Sequence, residues 1–275
     1  MAFDCIINSK KNFVDSHRDI TLICADVVEA LKGLPENSVD LSVTSPPYNV
    51  DIQYDGHDDA MPDADYWKWL KSVWENIFRV TKDNGRLCVE GPLTASNDFW
   101  IGKCYNTLIE AGWKIMTAIT WSKTNITART AWGSWASPSN PYCNNPEEVV
   151  LVCYKGSRQN VANGREPIIT PKEFVAYTTG FWMDVHPESA TRVGHPAPFP
   201  VELPKRCIKL FAYKGDTILD PFNGSGSTGV AAIQCGCKYI GIDISSKYMD
   251  ISRERIYGAL TELKQHITQK EHKNG

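Results

Sequence analysis

Short apolar runs alternate with longer amphipathic segments along most of the chain. The short runs, such as EVVLVCY at 148–154, are apolar almost throughout, which is typical of strands covered on both faces of a parallel sheet. Strands are predicted at 20–24, 39–43, 85–89, 113–121, 148–154, 217–220 and 239–243. The longer segments carry apolar residues at helical spacing, and they predict helices at 64–80, 99–111, 201–211, 228–234 and 246–263.

This alternation predicts an α/β fold with a mostly parallel, twisted sheet and helices on both faces. We expect a single domain over residues 1–275. Two stretches, at about 122–146 and 156–200, interrupt the alternation and are rich in Ser, Thr, Asn, Gly and Pro. We expect both to be irregular insertions, and connections this long are usually functional. Ligands of open α/β sheets bind beyond the carboxyl ends of the strands, so motifs that follow strands are the first candidates for a site.

A glycine-rich segment follows the strand predicted at 217–220. It places Gly224, Gly226 and Gly229 in a G-x-G-x-x-G pattern before a helix, and Asp243 ends the next strand. Glycines let the backbone approach a ligand closely, and a carboxylate in that position accepts hydrogen bonds from ribose hydroxyls. The pattern therefore predicts a site for an adenine nucleoside and is compatible with NAD, FAD or S-adenosylmethionine. A tight strand-to-helix turn, with Asp243 joining the cap of the following helix, is the alternative.

The segment TSPPYN at 44–49 follows the strand predicted at 39–43. Two consecutive prolines fix φ and remove two amide donors, so the carbonyls before and within the pair point outward as acceptors. The Ser45 hydroxyl and the Tyr48 ring lie beside them. Rigid acceptors next to an aromatic face suit a planar base that is bound through its amino group. For the dipeptide alone, a Pro-Pro turn with Tyr48 in the core is the alternative.

TSPPYN resembles the catalytic motif, and DPFNGSGST at 220–228 resembles the cofactor motif, of the amino-group DNA methyltransferases that use S-adenosylmethionine. The order of the two motifs is similar to that of the permuted β class. The segments 25–49, 194–222 and 241–256 also resemble this family. The resemblance implies a Rossmann-like methyltransferase fold that acts on an extruded base of double-stranded DNA, with the two insertions serving target recognition.

The resemblance also implies a role for each matching residue. Ser45 and the carbonyl of Pro46 would accept hydrogen bonds from the target amino group, in a turn completed by Pro47, while Tyr48 would stack on the base. Asp243 would bind the ribose hydroxyls. The other residues expected around the cofactor are Asp26, Thr44, His195, Pro200, Glu202, Asp220, Phe222, Gly224, Gly226, Ser227 and Thr228. Asn223 and Ser227 stand where family members often have an apolar residue and Thr.

The form of the motif bears on the target base. SPPY resembles the motif of the cytosine N4 enzymes more than that of the adenine N6 enzymes, which more often have Asp in place of Ser45. We therefore favour cytosine N4 as the target and keep adenine N6 as the alternative. The thiol of the cytosine C5 enzymes follows a proline, and this chain contains no Pro-Cys pair. Further alternatives are a nicotinamide-dependent oxidoreductase, which leaves 44–49 unexplained, a non-catalytic DNA-binding module, and a methyltransferase for RNA or protein amines.

Charge is polarised along the chain. The net charge of −3 excludes a uniformly basic nucleic-acid binder. Between 114 and 172, however, seven lysines and arginines stand against three glutamates, whereas 51–65 has six aspartates and no lysine or arginine. We expect the basic stretch to contact DNA phosphates, with Lys123, Arg129, Trp132 and Trp135 as candidates. The acidic segment is expected to be an exposed loop or a lid.

The nine cysteines include no Cys-x-x-Cys pair, which predicts no metal site and is typical of reduced thiols in a cytoplasmic protein. No signal-like segment is visible, and no stretch approaches the roughly 18 apolar residues of a membrane helix. The partners that the resemblance implies are double-stranded DNA, a cognate restriction endonuclease and a second copy in a homodimer.

Overall fold

The strands of the computed structural model belong to one mixed sheet. The structure describes residues 13–17, 19–52, 59–94, 99–123, 133–141, 147–188 and 199–274. Within these ranges the strands are Phe13–His17 (β1), Ile20–Cys24 (β2), Val39–Thr44 (β3), Thr81–Pro92 (β4), Lys114–Ser122 (β5), Glu147–Tyr154 (β6), Phe181–Trp182 (β7), Thr217–Asp220 (β8) and Lys238–Asp243 (β9). The helices are Val27–Gly33 (α1), Asp63–Val80 (α2), Trp100–Glu110 (α3), Pro171–Tyr177 (α4), Glu202–Phe211 (α5), Ser227–Gln234 (α6) and Ser246–Asn274 (α7).

The order of the strands across the sheet is β1-β2-β9-β8-β3-β4-β6-β5-β7. Parallel pairings join β2, β9, β8, β3 and β4 in the centre, and a further parallel pairing joins β5 to β7. β1 pairs antiparallel with β2, and β6 pairs antiparallel with both β4 and β5. The predicted α/β fold with a mostly parallel sheet is confirmed.

Helices cover both faces of the sheet, and each face has its own core. On one face α1, α2 and α3 pack on the sheet, with Leu70 and Trp74 of α2 fully buried among them. On the other face α5, α6 and α7 bury Cys207, Ala231 and Met249 against the strands. Burying a side chain of the size of Leu contributes roughly 1.5–3 kcal/mol, so these two layers hold the strand ends rigidly in register.

A crevice is expected where β8 and β3 lie side by side. The chain leaves β8 through α6 toward β9, and it leaves β3 through α2 toward β4, so the two connections run to opposite sides. In open α/β sheets this change of direction opens a crevice at the carboxyl ends of the strands. Both sequence motifs follow these two strands, and the fold therefore brings them to one place.

Some elements differ from the sequence prediction. The segment 156–200 was expected to be irregular, but its described residues, 156–188 and 199–200, include α4 and β7. Helix α4 begins with a capping box in which Thr170 and Glu173 bond each other's backbone N–H. Helix α7 continues to Asn274, well past 263. None of the described helices is long and apolar enough to cross a membrane, and no three His, Cys, Asp or Glu among the described residues could hold a metal ion together.

Candidate active site

Asp220, the last residue of β8, connects the two motifs. One of its carboxylate oxygens accepts hydrogen bonds from the Thr44 hydroxyl at 2.7 Å and from the Phe222 amide at 3.1 Å, and the other accepts from the Thr228 hydroxyl at 2.7 Å. Thr44 begins the SPPY turn, and Thr228 lies in the first turn of α6. The end of β3 and the glycine loop are therefore held together across a sequence separation of 176 residues.

Asp220 is fully buried, and burial raises its pKa from 3.8 to about 6. The three hydrogen bonds act in the opposite direction because they favour the carboxylate. The residue was expected to contact the cofactor. In the structure, both of its oxygens accept hydrogen bonds from groups of the protein, and these bonds set the geometry between the motifs; contact with the cofactor stays a prediction.

The glycine loop has a shape that side chains would prevent at two positions. Gly226 has a φ of +81°, and a Cβ there would lie 2.8 Å from the Cβ of Ser252 in α7. A Cβ on Gly229 would lie 2.3 Å from the Cδ1 of Ile256, so this glycine permits α6 and α7 to approach closely. The loop leads into the N-terminus of α6, whose free N–H groups favour polar or anionic ligand groups. This backbone fits a nucleoside cofactor.

Two carboxylates stand at the neighbouring strand ends beside the loop. Asp243 ends β9 and accepts from the Gly224 amide at 2.7 Å and from the Ser245 amide at 2.9 Å. It therefore shapes the glycine loop and also joins the cap of α7, as the alternative interpretation held. Asp26 follows β2 and caps α1 through one oxygen, which accepts from the amides of Val28 and Glu29. Both residues lie at the edge where the ribose is expected.

Arg255 of α7 is a residue of this site that sequence reasoning missed. Its guanidinium donates to the carbonyl of Ser225 at 2.8 Å and to the Ser225 hydroxyl at 2.7 Å, and it forms an ion pair with Glu188 at 3.2 Å. A planar guanidinium can hold several acceptors at once. Arg255 therefore braces the outer side of the glycine loop from the last helix of the fold.

Asn223 occupies a buried position that the family often fills with an apolar residue. Its side-chain oxygen accepts from the Tyr239 hydroxyl at 2.7 Å, and its amide nitrogen donates to the Gly224 carbonyl at 3.1 Å. A buried amide is tolerated only when it is hydrogen-bonded. Tyr239 thus compensates for the polar residue, and the loop keeps its position.

The SPPY turn carries a directional hydrogen-bond chain. The Tyr48 hydroxyl donates to the Oε2 of Glu90 at 2.8 Å, and it lies 2.7 Å from the Ser45 hydroxyl. Because the Tyr48 hydroxyl has one proton and gives it to Glu90, Ser45 must be the donor of the second bond. The lone pairs of the Ser45 oxygen are then left to accept a hydrogen bond from a ligand.

Glu90 is the second residue that the sequence analysis missed. It lies in β4, is 1% exposed, and is close to the carboxyl group of Glu148 on β6. Burial and the neighbouring Glu148 raise the pKa of Glu90 well above its usual value. Burial and the Glu90 charge likewise raise the pKa of Tyr48, so its phenol keeps its proton. Lys123 forms a salt bridge with Glu148 and completes the chain.

Tyr66 of α2 fixes the other side of the turn. Its hydroxyl donates to the Pro47 carbonyl at 2.7 Å and accepts from the indole N–H of Trp100 at 3.1 Å. No described donor reaches the carbonyl of Pro46, the residue before it. Among the described residues, the turn therefore leaves the Ser45 oxygen and the Pro46 carbonyl able to accept hydrogen bonds; that a target amino group binds them stays a prediction.

Aromatic rings line the approach to the turn. Tyr48 meets Trp100 edge to face, with ring centroids 5.3 Å apart, and Trp67 lies 5.7 Å from Trp100. Trp69 meets Phe222 of the glycine loop at 5.7 Å. The rings come from both motifs and from α2 and α3, so the space between the motifs is suited to planar ligands.

Residues 53–58 of the acidic segment 51–65 lie outside the described residues, and the described part is tied to the turn. Asp59 is buried, and its carboxylate accepts from the amides of Asn49, Val50 and Ile52 at 2.8–3.0 Å. The side chain of Asn49 exchanges two hydrogen bonds with the backbone of Met61. The residues after SPPY are therefore fastened to the residues before α2.

The remaining candidates occupy different surroundings. Pro200 is buried shortly before α5, and Glu202 in the first turn of α5 forms an ion pair with Arg206 at 3.0 Å.

Trp135 is 81% exposed in a loop closed by a bridge between Gly133 and Pro141. It does not fold onto the body of the protein. Arg129, Trp132 and His195 lie outside the described residues.

The cysteines of the described ranges are free and buried: Cys24, Cys88, Cys104, Cys153, Cys207, Cys235 and Cys237. Burial, with the nearby Asp243 and Asp250, raises the pKa of Cys24 to about 11, although this residue lies at the cofactor edge. A protonated thiol is a poor nucleophile. None of these seven positions supports covalent catalysis of the cytosine C5 kind.

Fold and site together define an α/β enzyme that joins a nucleoside-cofactor loop to a turn of hydrogen-bond acceptors for an amino group. A family model described as DNA methylase, covering the N6 and N4 methyltransferases, matches residues 39–254. The chain belongs to this family and is a DNA methyltransferase of the amino type.

Individual relatives agree with this assignment. Type II methyltransferase M.MjaVI of Methanocaldococcus jannaschii is 41% identical over 167 residues, which cover 59% of this chain and 84% of that protein. DNA adenine methyltransferase YhdJ of Escherichia coli K12 is 28% identical over 253 residues, covering 86% and 82% of the two chains.

Solved structures give the same result. A DNA modification methylase of Thermus thermophilus, solved with S-adenosyl-L-methionine, has a TM-score of 0.67 and 26% identity, with 86% of this chain and 94% of that chain covered. The cytosine-N4-specific PvuII DNA methyltransferase, at 18% identity, shares the fold with a TM-score of 0.66 and covers 87% of both chains. The family match removes the oxidoreductase alternative.

Proposed function

We propose that this protein transfers a methyl group from S-adenosylmethionine to the exocyclic amino group of a base extruded from double-stranded DNA, at a short specific site. One catalytic domain, built on the nine-stranded sheet, carries this activity. The observation that carries the proposal is the pair of free acceptors at the end of β3, the Ser45 oxygen and the Pro46 carbonyl, which Thr44 and Asp220 tie to the glycine loop.

The Ser45 oxygen and the Pro46 carbonyl would make the target amino group a better nucleophile. An exocyclic amine is a poor nucleophile because its lone pair is delocalised into the heterocycle. Hydrogen bonds from both of its N–H groups to Ser45 and Pro46 favour a more tetrahedral nitrogen and direct the lone pair away from the acceptors. Tyr48 holds the plane of the base, and alignment of the reacting atoms supplies much of the remaining rate enhancement.

S-Adenosylmethionine supplies an electrophilic methyl group on a positively charged sulfur. The residues placed to hold it are the loop Phe222–Thr228, with Asp243 for the ribose hydroxyls and Asp26 at the adjoining strand end. His195, Pro200 and Glu202 are proposed to line the methionine end. Arg255 keeps the loop in its binding shape.

Cytosine N4 is the first candidate for the target, because the motif begins with Ser45 rather than Asp. Adenine N6 is the second candidate, favoured by the alignment with DNA adenine methyltransferase YhdJ over 86% of this chain. Methylation adds mass to the cytosine nucleoside in one case and to the adenine nucleoside in the other, so mass spectrometry of the nucleosides distinguishes the two targets.

Trp135 and the basic stretch from 114 to 172 are proposed to contact DNA. An exposed indole at the tip of a hydrogen-bonded loop can stack on bases, a contact worth about 1–3 kcal/mol. We expect Trp135→Ala to weaken DNA binding, measured by fluorescence anisotropy, without lowering the melting temperature. We expect the affinity to fall with ionic strength, since phosphate contacts release counterions; an affinity independent of salt would exclude such contacts.

The decisive experiment is methyl transfer by the purified protein. Mixed-sequence duplex DNA is incubated with S-adenosylmethionine carrying a tritiated methyl group, digested to nucleosides and analysed by mass spectrometry. We expect N4-methylcytosine, and Ser45→Ala should reduce the rate by about 100-fold or more. N6-methyladenine would select the second candidate. Binding of DNA without transfer would instead support a non-catalytic module.

A further inference from the structure

A buried carboxyl group and a partly buried one lie next to the catalytic turn. Glu90 of β4 and Glu148 of β6 lie on the same face of two paired strands, where Glu90 stands opposite Val150 and Glu148 stands opposite Pro92. The Oε1 of Glu90 is buried and has no N–H or O–H donor among the described residues. Glu148 is close enough to raise the pKa of Glu90, and a proton between the two carboxyl groups would give this oxygen a partner.

We propose that Glu90 and Glu148 share one proton, with Lys123 balancing their single negative charge, and that this arrangement holds Tyr48 and Ser45 in their acceptor geometry. Glu90, Glu148 and Lys123 are then positioning residues, since none of them is placed against the base. The inference rests on the proposed function, because it assigns them a task in methyl transfer.

The hydrogen bonds between Lys123 and Ser45 form one series, and the donor and the acceptor of each bond can be assigned. The proton lies on the Oε1 side of Glu90 and is directed to Glu148, which in turn accepts from the Lys123 ammonium. The Oε2 of Glu90 accepts from Tyr48, and Tyr48 accepts from Ser45. Each atom then has a partner of the right kind, and the unpartnered Oε1 is explained.

The pair also predicts a response to pH. The titratable and charged groups that face Glu90 are Tyr48 after β3, Glu148 on β6 and, through Glu148, Lys123 after β5. When the shared proton is lost at alkaline pH, two adjacent carboxylates repel each other. The repulsion displaces the Glu90 carboxylate, so the oxygen that accepts from Tyr48 moves away and the Ser45 hydroxyl loses its fixed acceptor.

The proton can be detected without any activity measurement. Infrared spectra of the protein labelled with ¹³C-glutamate should contain the C=O band of a protonated carboxyl near neutral pH. The label shifts only glutamate bands, so the band cannot come from Asp220. Glu90→Gln and Glu148→Gln should each abolish the band, because the Gln amide donates to the remaining carboxylate. The matched control Glu147→Gln changes the neighbouring residue of β6 and should keep the band. A wild-type spectrum without the band would overturn the inference.

The effect on the reaction is measured as the pH profile of kcat at saturating DNA and cofactor. We expect wild-type kcat to fall by about tenfold per pH unit at alkaline pH, as for release of one proton. Glu148→Gln should remove this fall, Glu147→Gln should keep it, and Lys123→Met should move it to higher pH because the anion loses its counter-charge. The same alkaline fall in Glu148→Gln as in the wild type would refute the inference.

The two proposals fail in different ways. If no DNA were methylated, the proposed function would be wrong, while the infrared band would still decide whether the proton is shared. If DNA were methylated but the band were absent, the function would stand and the shared proton would not.

Discussion

One oxygen of Asp220 accepts from Thr44 of the SPPY turn and from the Phe222 amide, and the other accepts from Thr228 of α6. A carboxylate can accept on both sides, whereas an amide of the same shape has one donor and one acceptor. The aspartate at this position therefore has a structural role and is not simply the last residue of β8. It sets how far the amino-group acceptors lie from the cofactor loop, and catalysis by alignment depends on that separation.

Tyr48 and Asp243 are expected to separate the two functions of the site. Tyr48→Ala removes the ring for the base and the link from Ser45 to Glu90, so methyl transfer should fall by about 100-fold with little change in cofactor affinity. Asp243→Ala removes the support of Gly224, so cofactor affinity should fall more than the rate at saturation. Calorimetric titration and steady-state kinetics measure the two effects, and wild-type transfer in both variants would refute the site.

Tyr66 is expected to affect the rate through the turn. Tyr66→Phe removes the donor to the Pro47 carbonyl, and the resulting freedom of the turn should reduce kcat by about tenfold, which corresponds to the roughly 1–1.5 kcal/mol of one hydrogen bond. The cofactor Kd should not change, because Tyr66 does not contact the glycine loop through this hydroxyl.

The control is Tyr105→Phe, which removes a hydroxyl from an exposed residue of α3 and should have wild-type kinetics. A Tyr66→Phe variant with normal kcat, or one that loses cofactor affinity in proportion to kcat, would contradict the assignment.

The sequence predicted the two motifs and the acceptors because their chemistry is contained in short segments. Glu90 was missed although it follows the strand predicted at 85–89, as Asp220 and Asp243 end theirs, because no local pattern shows that Tyr48 is its partner. Tyr66 was predicted only as part of an apolar stripe. It is buried as expected, but the partner of its hydroxyl depends on how α2 packs on the turn, which no local pattern encodes.

At the scale of elements, the glycine loop depends on α7. The loop and α6 pack against Ser252 and Ile256 at distances that exclude a side chain on Gly226 or Gly229, and Arg255 bonds Ser225 between these contacts. Helix α7 therefore supports the proposed cofactor loop, although its residues belong to neither motif.

Arg255 provides the test of this dependence. Arg255→Gln cannot reproduce the bonds to Ser225 together with the ion pair to Glu188, and we expect the Kd for S-adenosylmethionine to rise by about tenfold. Arg253→Gln is the matched control. Arg253 lies two residues before Arg255 in the same helix and forms an exposed ion pair with Asp250. Equal affinities in Arg255→Gln and the wild type would show that the loop holds its shape alone.

The long elements of the fold were predictable, and several of the short ones were not. Helix α2 extends over 18 residues, and its apolar stripe identifies it without further information. Helices α1 and α4 have seven residues each and β7 has two, so none of them spans enough positions to establish a period. Tertiary packing and caps such as Thr170 define these elements.

At the scale of the whole molecule, the buried carboxyl groups make stability depend on pH. The folded pKa of Asp220 is about 6 against 3.8 for the free side chain, so the unfolded state releases its proton first as the pH rises. The contribution of Asp220 is therefore fully present below pH 3.8 and is lost as the pH rises through about 6. The expected loss is roughly 3 kcal/mol.

This loss is measured as a difference between two proteins. Urea unfolding of the wild type and of Asp220→Asn at a series of pH values gives two free-energy curves, and subtraction removes the other titrating groups they share. The stability of the wild type relative to the variant should decrease between about pH 4 and about pH 7. A constant difference would mean that Asp220 is ionised throughout this range.

The central position of β8 and β9 has a consequence for how the chain reaches its folded state. These strands are made last, yet they lie between β2 and β3, which are made early. Until about residue 243 has left the ribosome, the nascent chain holds two separate groups of strands with exposed apolar edges and an incomplete site. Contacts of such long sequence separation form slowly and leave unpaired edges open to aggregation in the meantime. A truncated chain that ends before β8 should therefore be captured by chaperones or degraded, and it would not persist as a partly active enzyme that could modify DNA.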